Sequence, residues 1–363
     1  MIICVTNLSE LAQCLVVTQI QACYNFAMKV SELGEFGLID LLAKMANAPR
    51  DNQVASWRQL RLGIGDDAAA WQGDASIQLA TVDSFIQDVH FPSGLASWNE
   101  LGWKAMAVNL SDIAAMGGVP KYALVSLALP EDTEVDDVTA LYTGMIDLAK
   151  QFGVAIIGGD ISRAPLVAIT IAILGTSKNG DKAILTRSAA KPGELVAVTG
   201  YLGAAAAGLE MLTKRLKFDP QAATFLRNAF LHPHPRIAEG QLLVEQGVKT
   251  AIDISDGLIS DLNQVCKASR VSARVEIDRV PVEPTVKAQF SDKSLELALS
   301  GGEDYELLFT ARAGIVDRVK RAATCPITVI GEIIAGKKGV TLVDRQGNPI
   351  SLGKAGWEHF VTR

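Results

Sequence analysis

Residues 101–118 read LGWKAMAVNLSDIAAMGG, an apolar run with a single acid, Asp112. This run predicts a helix from about residue 98 to residue 116 that is apolar on nearly every side and ends at Gly117 and Gly118. Such a helix is expected to be buried on several sides. Asp112 is then a carboxylate in an apolar setting, which costs free energy unless a partner satisfies it. A metal ion is one candidate partner, and an arginine from elsewhere in the fold is the other.

The segments around this helix alternate between strand and helix patterns. Strands are predicted at 76–83, 121–129, 154–157, 167–174, 195–199, 250–254, 273–277, 305–310 and 327–333. Further helices are predicted at 38–46, 135–152, 203–212, 236–246 and 257–268. This is a mixed α/β pattern, and it predicts two domains, residues 29–178 and 179–363, joined at the polar stretch 176–181. Residues 1–28 are predicted to be an extension outside the fold.

Composition excludes several classes of protein. The 363 residues carry a formal net charge of −6 and contain no basic run, which argues against nucleic acid as a partner. The apolar stretch 11–27 is interrupted by three glutamines and Asn25, so it does not predict a membrane span. The five cysteines form no C-x-x-C pair, and they indicate reduced thiols in the cytoplasm. The four histidines form no H-x-x-x-H motif, which argues against a zinc hydrolase.

Carboxylates recur beside glycines or at the ends of apolar segments. The motifs are Gly65-Asp66-Asp67-Ala68, Thr81-Val82-Asp83, Gly158-Gly159-Asp160, Asp253-Ile254-Ser255-Asp256-Gly257 and Gly301-Gly302-Glu303-Asp304. Each motif alone is ordinary turn chemistry. Because side chains alternate across a strand, Thr81 shares a face with Asp83, and Asp253 shares one with Ser255. Oxygen donors at this spacing suit a hard cation, so the set favours Mg²⁺. Asp256 is also a good N-cap for the helix that follows.

If the chain binds phosphates, it does so without the common phosphate-binding loops. Residues 175–182 lack the Gly-Lys-Ser/Thr of a P-loop, and residues 63–68 end in Ala where the dinucleotide fingerprint needs Gly. Arg187, in Thr186-Arg187-Ser188, is a permanently charged side chain suited to a phosphate. A solvated surface charge is an equally good interpretation of this arginine.

Taken together and in this order, the motifs resemble those of the thiamine-monophosphate kinase family. They read GIGDDA, NLSDIAAMG, IGGD, LTRS, ISDGL and SGGEDYEL, and the resemblance extends from about Gly34 to Phe360. That family belongs to the superfamily of aminoimidazole ribonucleotide synthetase. The resemblance implies a fold of two α/β domains, a homodimer whose N-terminal domains pair into a sheet barrel, and a site between the domains. It also implies ATP as co-substrate, several Mg²⁺ ions and thiamine monophosphate as the acceptor.

The resemblance also implies roles for individual residues. It implies that Mg²⁺ is bound by Asp67, Thr81, Asp83, Asp112, Asp160, Asp253 and Asp256. It implies that the nucleotide is contacted by Gly159, Asp160, Arg187 and Ser255, and that thiamine monophosphate is contacted by His90, Glu303 and Trp357. Asp112, Asp160 and Asp253 are the expected catalytic carboxylates. Val82 departs from the family pattern, which often has Thr there, so that position offers a backbone carbonyl but no hydroxyl ligand.

Two other kinds of protein compete with this interpretation. One is a different ATP-using member of the superfamily, such as a hydrogenase-maturation dehydratase or a selenophosphate synthetase. The latter needs a reactive cysteine in a glycine-rich N-terminal loop, and Cys23 has no such loop around it. The other is a nucleotide-binding regulator without catalytic activity, against which the complete set of carboxylates argues.

Overall fold

The structure of the chain is a computed structural model, and it describes residues 60–62, 69–72, 76–130, 133–178, 183–336 and 339–350. By packing, the chain divides into two units, Met1–Gly65 with Glu358–Arg363 and Asp66–Trp357. Strand β1 (Leu60–Leu62) belongs to the first unit. Every other element below belongs to the second. Within that unit we call residues 69–178 the first half and residues 183–350 the second half.

The first half contains one sheet and two helices. The elements are β2 (Ala69–Gln72), β3 (Ile77–Ile86), α1 (Trp98–Ala115), β4 (Val119–Leu129), α2 (Val135–Gln151), β5 (Ala155–Arg163) and β6 (Ala168–Thr176). Within the second unit the strand order is β2-β3-β6-β4-β5. Only β4 and β5 are parallel, and the other neighbours are antiparallel. One face of the sheet packs on α1, which brings Ile169, Ile171 and Ile173 of β6 into the core.

The second half is built on a larger sheet. Its strands are β7 (Leu195–Thr199), β8 (Thr250–Asp253), β9 (Ser272–Glu276), β10 (Leu307–Ala311), β11 (Ile327–Ile334), β12 (Gly339–Val343) and β13 (Pro349–Ile350). Its helices are α3 (Ala204–Lys214), α4 (Pro220–Leu231), α5 (Ile237–Glu245), α6 (Leu258–Ser269), α7 (Pro284–Phe290), α8 (Ser294–Ser300) and α9 (Ala313–Ala322). Short 3₁₀ turns cover Ile277–Arg279 and Ser291–Lys293. The strand order is β13-β12-β9-β11-β7-β10-β8, and only β12 and β9 are parallel.

Helix α1 is the central element of the second unit, as its apolar sequence predicts. A capping box starts it: Ser97 accepts the Glu100 N–H, and the Glu100 carboxylate accepts the Ser97 N–H at 2.7 Å. The helix then packs on α2, on β3 and β6, and on α5 and β8 of the second half. At its end, a Cβ placed on Gly240 of α5 would lie 2.0 Å from the Ala114 carbonyl oxygen. Only glycine permits this approach, so the two halves meet at backbone distance.

The mixed α/β fold class is confirmed, and several boundaries differ from the predicted ones. Strand β5 continues to Arg163, past the predicted end at 157, because its whole length pairs with β4. The strand predicted to begin at residue 305 begins at Leu307, because Tyr305 adopts a left-handed backbone with φ 50°. The sequence did not predict helices α4, α7, α8 and α9 or strands β2, β12 and β13. The predicted helix 38–46 lies outside the described residues, and the domain boundaries stay predictions.

Among the residues that the structure describes, no helix combines the length and the apolar character needed to cross a bilayer.

Candidate active site

The first part of the site lies where β3 crosses α1. Thr81 Oγ1 donates a hydrogen bond to Asp112 Oδ2 at 2.5 Å, and Asn109 Oδ1 accepts the Asp83 N–H at 2.9 Å. Thr81 therefore faces α1, and strand alternation puts Asp83 on the same face. The hydroxyl and the two carboxylates that the sequence singled out are brought together here. Asn109 was quoted within the motif, but its anchoring of the β3 backbone could not be read from the sequence.

The second half contributes Asp253, the last residue of β8. Its Oδ2 accepts a hydrogen bond from Ser111 Oγ at 2.6 Å, and both residues are buried. Ser111 is adjacent to Asp112 on α1, so a single turn of this helix touches β3 on one side and β8 on the other. The site is consequently shared between the two halves of the second unit.

These carboxylates repel one another. Desolvation, followed by the negative charges of Asp83 and Asp253, raises the pKa of Asp112 well above its usual value. Desolvation and the charge of Asp253 raise the pKa of Asp83 to about 6, although Asp83 keeps solvent-exposed surface. Desolvation also raises the pKa of Asp253, and the Ser111 hydrogen bond and the charge of Arg187 oppose that shift. Three like charges at this range favour a bound cation or a shared proton.

Arg187 lies near the second-half carboxylates. Its positive charge acts against the raised pKa of both Asp253 and Asp261, which places the guanidinium close to each. Its backbone carbonyl accepts a hydrogen bond from Ser269 Oγ at 2.7 Å, which fixes the segment that carries it to the end of α6. Arg187 is therefore a neighbour of the acidic groups.

The turn before α6 is organised by Asp261, which the sequence analysis missed. Its Oδ2 accepts the backbone N–H groups of Ser255, Asp256 and Gly257 at 3.1, 3.2 and 3.1 Å. The helix N-cap is Gly257, with φ 115° and no side-chain cap, so the prediction of Asp256 as N-cap is wrong. The physical reason is that Asp261 reaches back from the first helical turn and satisfies the N–H groups itself. An acid four residues after a Ser-Asp-Gly turn was the available signal.

The glycine-rich loop at 301–306 folds onto that same turn. The Glu303 N–H donates to the Ser255 carbonyl at 2.7 Å, and the Tyr305 N–H donates to the Ile254 carbonyl at 2.9 Å. Glu303 and Tyr305 have φ values of 60° and 50°, which are uncommon for residues other than glycine. Desolvation raises the pKa of Tyr305, and so do the negative charges of Glu303, Asp83, Asp253 and Asp256. Tyr305 thus lies among the acids of both halves.

Glu306 secures the end of this loop. Its carboxylate receives the Arg236 guanidinium, with Nε to Oε2 at 2.7 Å and Nη2 to Oε1 at 2.5 Å. The Thr199 hydroxyl donates to the same Oε2 at 2.5 Å. A two-point arginine–carboxylate pair of this kind has a defined orientation. The strained Glu303–Tyr305 backbone is therefore held at one end by the Glu303 N–H bond to Ser255 and at the other by the Glu306–Arg236 pair.

His90 and Glu303, both predicted to contact thiamine monophosphate, are connected by a chain of contacts through Lys104 of α1. Lys104 Nζ lies 3.0 Å from Glu303 Oε2 and 5.8 Å from the centroid of the Phe85 ring. Phe85 stacks on the His90 ring with centroids 5.7 Å apart, and His90 Nδ1 accepts the Ile86 N–H at 3.0 Å. Desolvation lowers the pKa of Lys104, and the Glu303 carboxylate opposes this shift. The sequence analysis gave Lys104 no role, although a lysine in an apolar helix was a visible signal.

Asp160 lies apart from the other acids. It aligns with Ser126 of β4, which aligns with Thr170 of β6 and then with Ser84 of β3, whose hydroxyl contacts that of Thr170 at 2.8 Å. This row is on the sheet face opposite Thr81 and Asp83. Asp160 is also three strands from β3, which is about 14 Å at the usual strand spacing. The described chain does not bring Asp160 to Asp112.

Gly159 next to it has a structural reason to be glycine. A Cβ at this position would lie 1.6 Å from the Val125 carbonyl oxygen of β4. The sequence predicts that Gly158-Gly159-Asp160 follows an apolar strand, but the motif lies inside β5, where the strand pairing has a register shift. The prediction that these residues follow a strand is wrong, because strand pairing outweighs the turn preference of two glycines.

Comparison with known proteins decides the family. The AIR synthase related protein N-terminal domain matches residues 65–177, and the corresponding C-terminal domain matches residues 191–344. Thiamine-monophosphate kinase of Escherichia coli (strain K12) is 38% identical over 335 residues, which cover 91% of this chain and 99% of that protein. The Bacillus subtilis (strain 168) kinase is 37% identical over 308 residues, covering 82% and 93%. This chain belongs to the thiamine-monophosphate kinase family.

The structural comparison agrees with this assignment. The solved structure of AaThiL complexed with AMPPCP and TMP superposes with a TM-score of 0.78 at 32% sequence identity, and it covers 92% of this chain and 99% of that one. The two-domain fold implied by the resemblance is confirmed by this likeness and by the two domain matches.

The kinase site can be tested for its fit to Mg²⁺ on its own residues. Across the described ranges from 60 to 350, no three His, Cys, Asp or Glu side chains converge into a ready-made metal group. The donors are nevertheless of the right kind, because hard oxygens suit Mg²⁺. Desolvation and neighbouring negative charges raise the pKa of Asp83 and of Asp112, and a bound cation would offset both effects. Asp67 and Trp357, two of the predicted site residues, lie outside the described residues.

Proposed function

We propose that this chain transfers the γ-phosphoryl group of ATP to thiamine monophosphate, giving ADP and thiamine diphosphate, the final step in making that cofactor. The main support is the match along 92% of the chain to AaThiL, which was solved with AMPPCP and TMP. The curated kinases, matched over nearly their whole length, support the same reaction. The carboxylates shared by β3, α1 and β8 are the local chemistry on which the proposal depends.

Magnesium is part of the proposal. Asp83, Asp112 and Asp253 would hold one ion together with Thr81, and Asp67 and Asp256 are further proposed ligands. Asp160, on the opposite sheet face, would hold a separate ion. When bound, Mg²⁺ would offset the repulsion between ATP, the acceptor phosphate and these acids. The crowding of three carboxylates, seen in the raised pKa of Asp112, supports a cation here.

The remaining residues are proposed to bind and orient the two substrates. Arg187 suits a nucleotide phosphate because its charge already acts on Asp253 and Asp261 at the site. Ser255, Gly159 and Asp160 are the other proposed nucleotide contacts. His90, Glu303 and Trp357 are proposed to contact thiamine monophosphate. Asp112 and Asp253 are proposed to be the catalytic carboxylates, which act on the charge and position of the phosphates, whereas Asp160 lies on the opposite sheet face and is not proposed to act with them.

The chain has little proton chemistry to perform. A phosphomonoester acceptor has a second pKa of about 6, so at neutral pH it is already an oxyanion nucleophile. The residues at the site then act by positioning and by electrostatic stabilisation, without a general base. We therefore propose direct in-line transfer with no phosphorylated enzyme.

A homodimer formed through the first sheet is also proposed. The sheet face opposite α1 exposes 59% of Val82, 49% of Tyr122 and 40% of Leu124. Contiguous apolar side chains on a sheet face mark an interaction surface. Leu124→Glu is expected to convert a dimer into a monomer in light-scattering measurements, whereas a monomeric unsubstituted chain would contradict the proposal. We also propose that the chain works in the cytoplasm, where ATP is available and thiols stay reduced.

One experiment tests the reaction directly. Purified full-length chain with ATP and Mg²⁺ is given thiamine monophosphate, thiamine, other acceptors or no acceptor, and ADP and thiamine diphosphate are quantified. We expect stoichiometric ADP and thiamine diphosphate with thiamine monophosphate alone. ADP formed only with another acceptor would point to a different member of the superfamily. ATP binding without turnover with any acceptor would point to a regulator.

A further inference from the structure

Lys104 is a buried cation with one carboxylate partner at hydrogen-bond distance. Its side chain has 0% exposed surface, while Glu303, 3.0 Å away from Nζ to Oε2, keeps 27%. The Phe230 ring lies against the ammonium group, with its centroid 3.3 Å from Nζ. A buried ammonium group is costly unless it is paired, and an aromatic face adds a favourable contact. The pair is therefore a fixed connection between α1 and the loop at 301–306.

The Glu303 backbone is held as firmly as its side chain. Its N–H donates to the Ser255 carbonyl at 2.7 Å, and its φ of 60° is a conformation that surrounding structure must maintain. With Oε2 on Lys104, the exposed fraction of the side chain leaves Oε1 for another partner. Within the described ranges no hydrogen bond reaches Oε1, so Glu303 is a carboxylate with a fixed direction and an acceptor oxygen available to a ligand.

The charges around Glu303 determine which kind of ligand group its Oε1 could bind. Glu303 acts on the buried Tyr305 hydroxyl together with Asp83, Asp253 and Asp256, so it lies at the border of the acidic cluster. A further negative charge would repel a phosphate. It suits the other end of the acceptor, because the thiazolium ring of thiamine monophosphate carries a permanent positive charge.

We infer that Lys104 is a positioning residue for the acceptor: it holds the Glu303 carboxylate so that Oε1 receives the cationic thiazolium ring. The inference rests on the proposed function and adds a residue to it. Because Lys104 has no exposed surface, it cannot touch the substrate and must act through Glu303. The device selects for the charge of the acceptor ring, and it leaves the binding of ATP to other residues.

The first test replaces Lys104 with Met, which keeps the length of the side chain and removes its charge. We expect the KM for thiamine monophosphate to rise about tenfold or more, the scale of a lost charged hydrogen bond, with the KM for ATP changed less than twofold. Lys178→Met is the matched control, because it breaks a surface ion pair with Glu245 whose Nζ–Oε1 distance is 2.5 Å. The control should leave both constants unchanged.

Two further measurements separate positioning from a general structural effect. A neutral-ring analogue of thiamine monophosphate has carbon in place of the thiazolium nitrogen. Its KM should be the same for the Lys104→Met variant as for the unsubstituted chain. The double variant Lys104→Met, Glu303→Gln should have the KM of Glu303→Gln alone, because one residue acts through the other. Equal rises for the two acceptors and ATP, or multiplicative effects in the double variant, would overturn the inference.

A second pair of variants keeps the inference testable if Lys104→Met fails to fold. Lys104→Arg lengthens the basic side chain and should raise the KM for thiamine monophosphate. Adding Glu303→Asp shortens the acidic side chain and should return this KM towards that of the unsubstituted chain. Absence of recovery would count against the inference. Failure of the proposed function would look different, because the unsubstituted chain would then form no thiamine diphosphate at all.

Discussion

Ser111 Oγ donates a hydrogen bond to Asp253 Oδ2 at 2.6 Å, so a buried residue of α1 in the first half holds a buried carboxylate at the end of β8 in the second. The neighbouring residue on α1 is Asp112, which accepts from Thr81 of β3. Two adjacent side chains of α1, Ser111 and Asp112, therefore contact β8 and β3 and fix these strands relative to the helix. This arrangement allows the proposed kinase chemistry to be tested one contact at a time.

Replacing Ser111 with Ala should lower both stability and activity. The Asp253 carboxylate would lose its donor while it remains buried, at a cost of about 1–3 kcal/mol in the free energy of unfolding. Ser177→Ala is the control, since the buried Ser177 hydroxyl accepts the Ile77 N–H at 3.2 Å away from the acids. Denaturant unfolding should show a loss in both variants, and kcat should fall only in Ser111→Ala. Equal kcat values would show that the Ser111 contact is purely structural.

Replacing Asp112 with Asn should abolish most activity while the fold survives. We expect kcat to fall about 10²- to 10³-fold, the effect of losing several kcal/mol of charge stabilisation. The melting temperature should not fall, because the substitution removes one of three mutually repelling carboxylates. Asp147→Asn, an exposed acid on α2, is the control and should behave as the unsubstituted chain. Near-normal turnover of Asp112→Asn, or turnover in excess chelator, would exclude the proposed role.

Replacing Asp261 with Ala should loosen the turn at Ser255–Gly257. Three backbone N–H groups would lose their common acceptor, and we expect a stability loss of about 1–3 kcal/mol together with a higher KM for ATP. Asp219→Ala is the matched control, since Asp219 caps α4 by accepting the Gln221 and Ala222 N–H groups at 3.1 and 3.0 Å. That variant should lose stability without a change in KM. A parallel loss in both variants with unchanged kinetics would refute the prediction.

Replacing Trp357 with Ala should affect the acceptor more than the nucleotide. A contact between its indole face and the thiazolium ring would contribute about 0.5–2 kcal/mol, so the KM for thiamine monophosphate should rise about 2- to 30-fold. Trp103→Phe is the control, because Trp103 packs on His232 and donates to the Pro233 carbonyl at 3.0 Å. Steady-state kinetics with each substrate varied in turn decide the matter. Equal rises in both KM values with a lower melting temperature would assign Trp357 to the core.

The stereochemistry of transfer should reveal a single displacement. ATP with a chiral γ-phosphorus is expected to give thiamine diphosphate with inverted configuration, because the acceptor oxyanion attacks without a covalent enzyme intermediate. No exchange of label between ATP and ADP is expected in the absence of thiamine monophosphate. Retention of configuration, or such exchange, would indicate a phosphorylated side chain and two displacements.

Much of this fold could be predicted from local sequence. Helix α1 was predictable because its apolar run has a capping serine before it and two glycines after it. Strand alternation placed Thr81 and Asp83 on one face, but it did not predict that Thr81 would meet Asp112 of α1. Both inferences use periodicities that belong to a single element.

The contacts that were missed join residues far apart in the chain. Lys104 and Glu303 are separated by 199 positions, and no local pattern pairs them. Asp256 looked like the N-cap because the sequence preference for that position is strong, whereas the turn is satisfied by Asp261 from within the helix. The left-handed backbone at Glu303 and Tyr305 has no signature in residue type, since the surrounding structure imposes it.

The backbone contact between Gly240 and Ala114 limits how such an enzyme could change during evolution. A Cβ at residue 240 would press on the helix that carries Ser111 and Asp112, so even the smallest mutational step there would disturb the acids. New acceptors would therefore have to be acquired at the rim, through loops such as the one that bears Glu303. The phosphate-handling centre would be inherited unchanged while recognition of the organic group diverged around it.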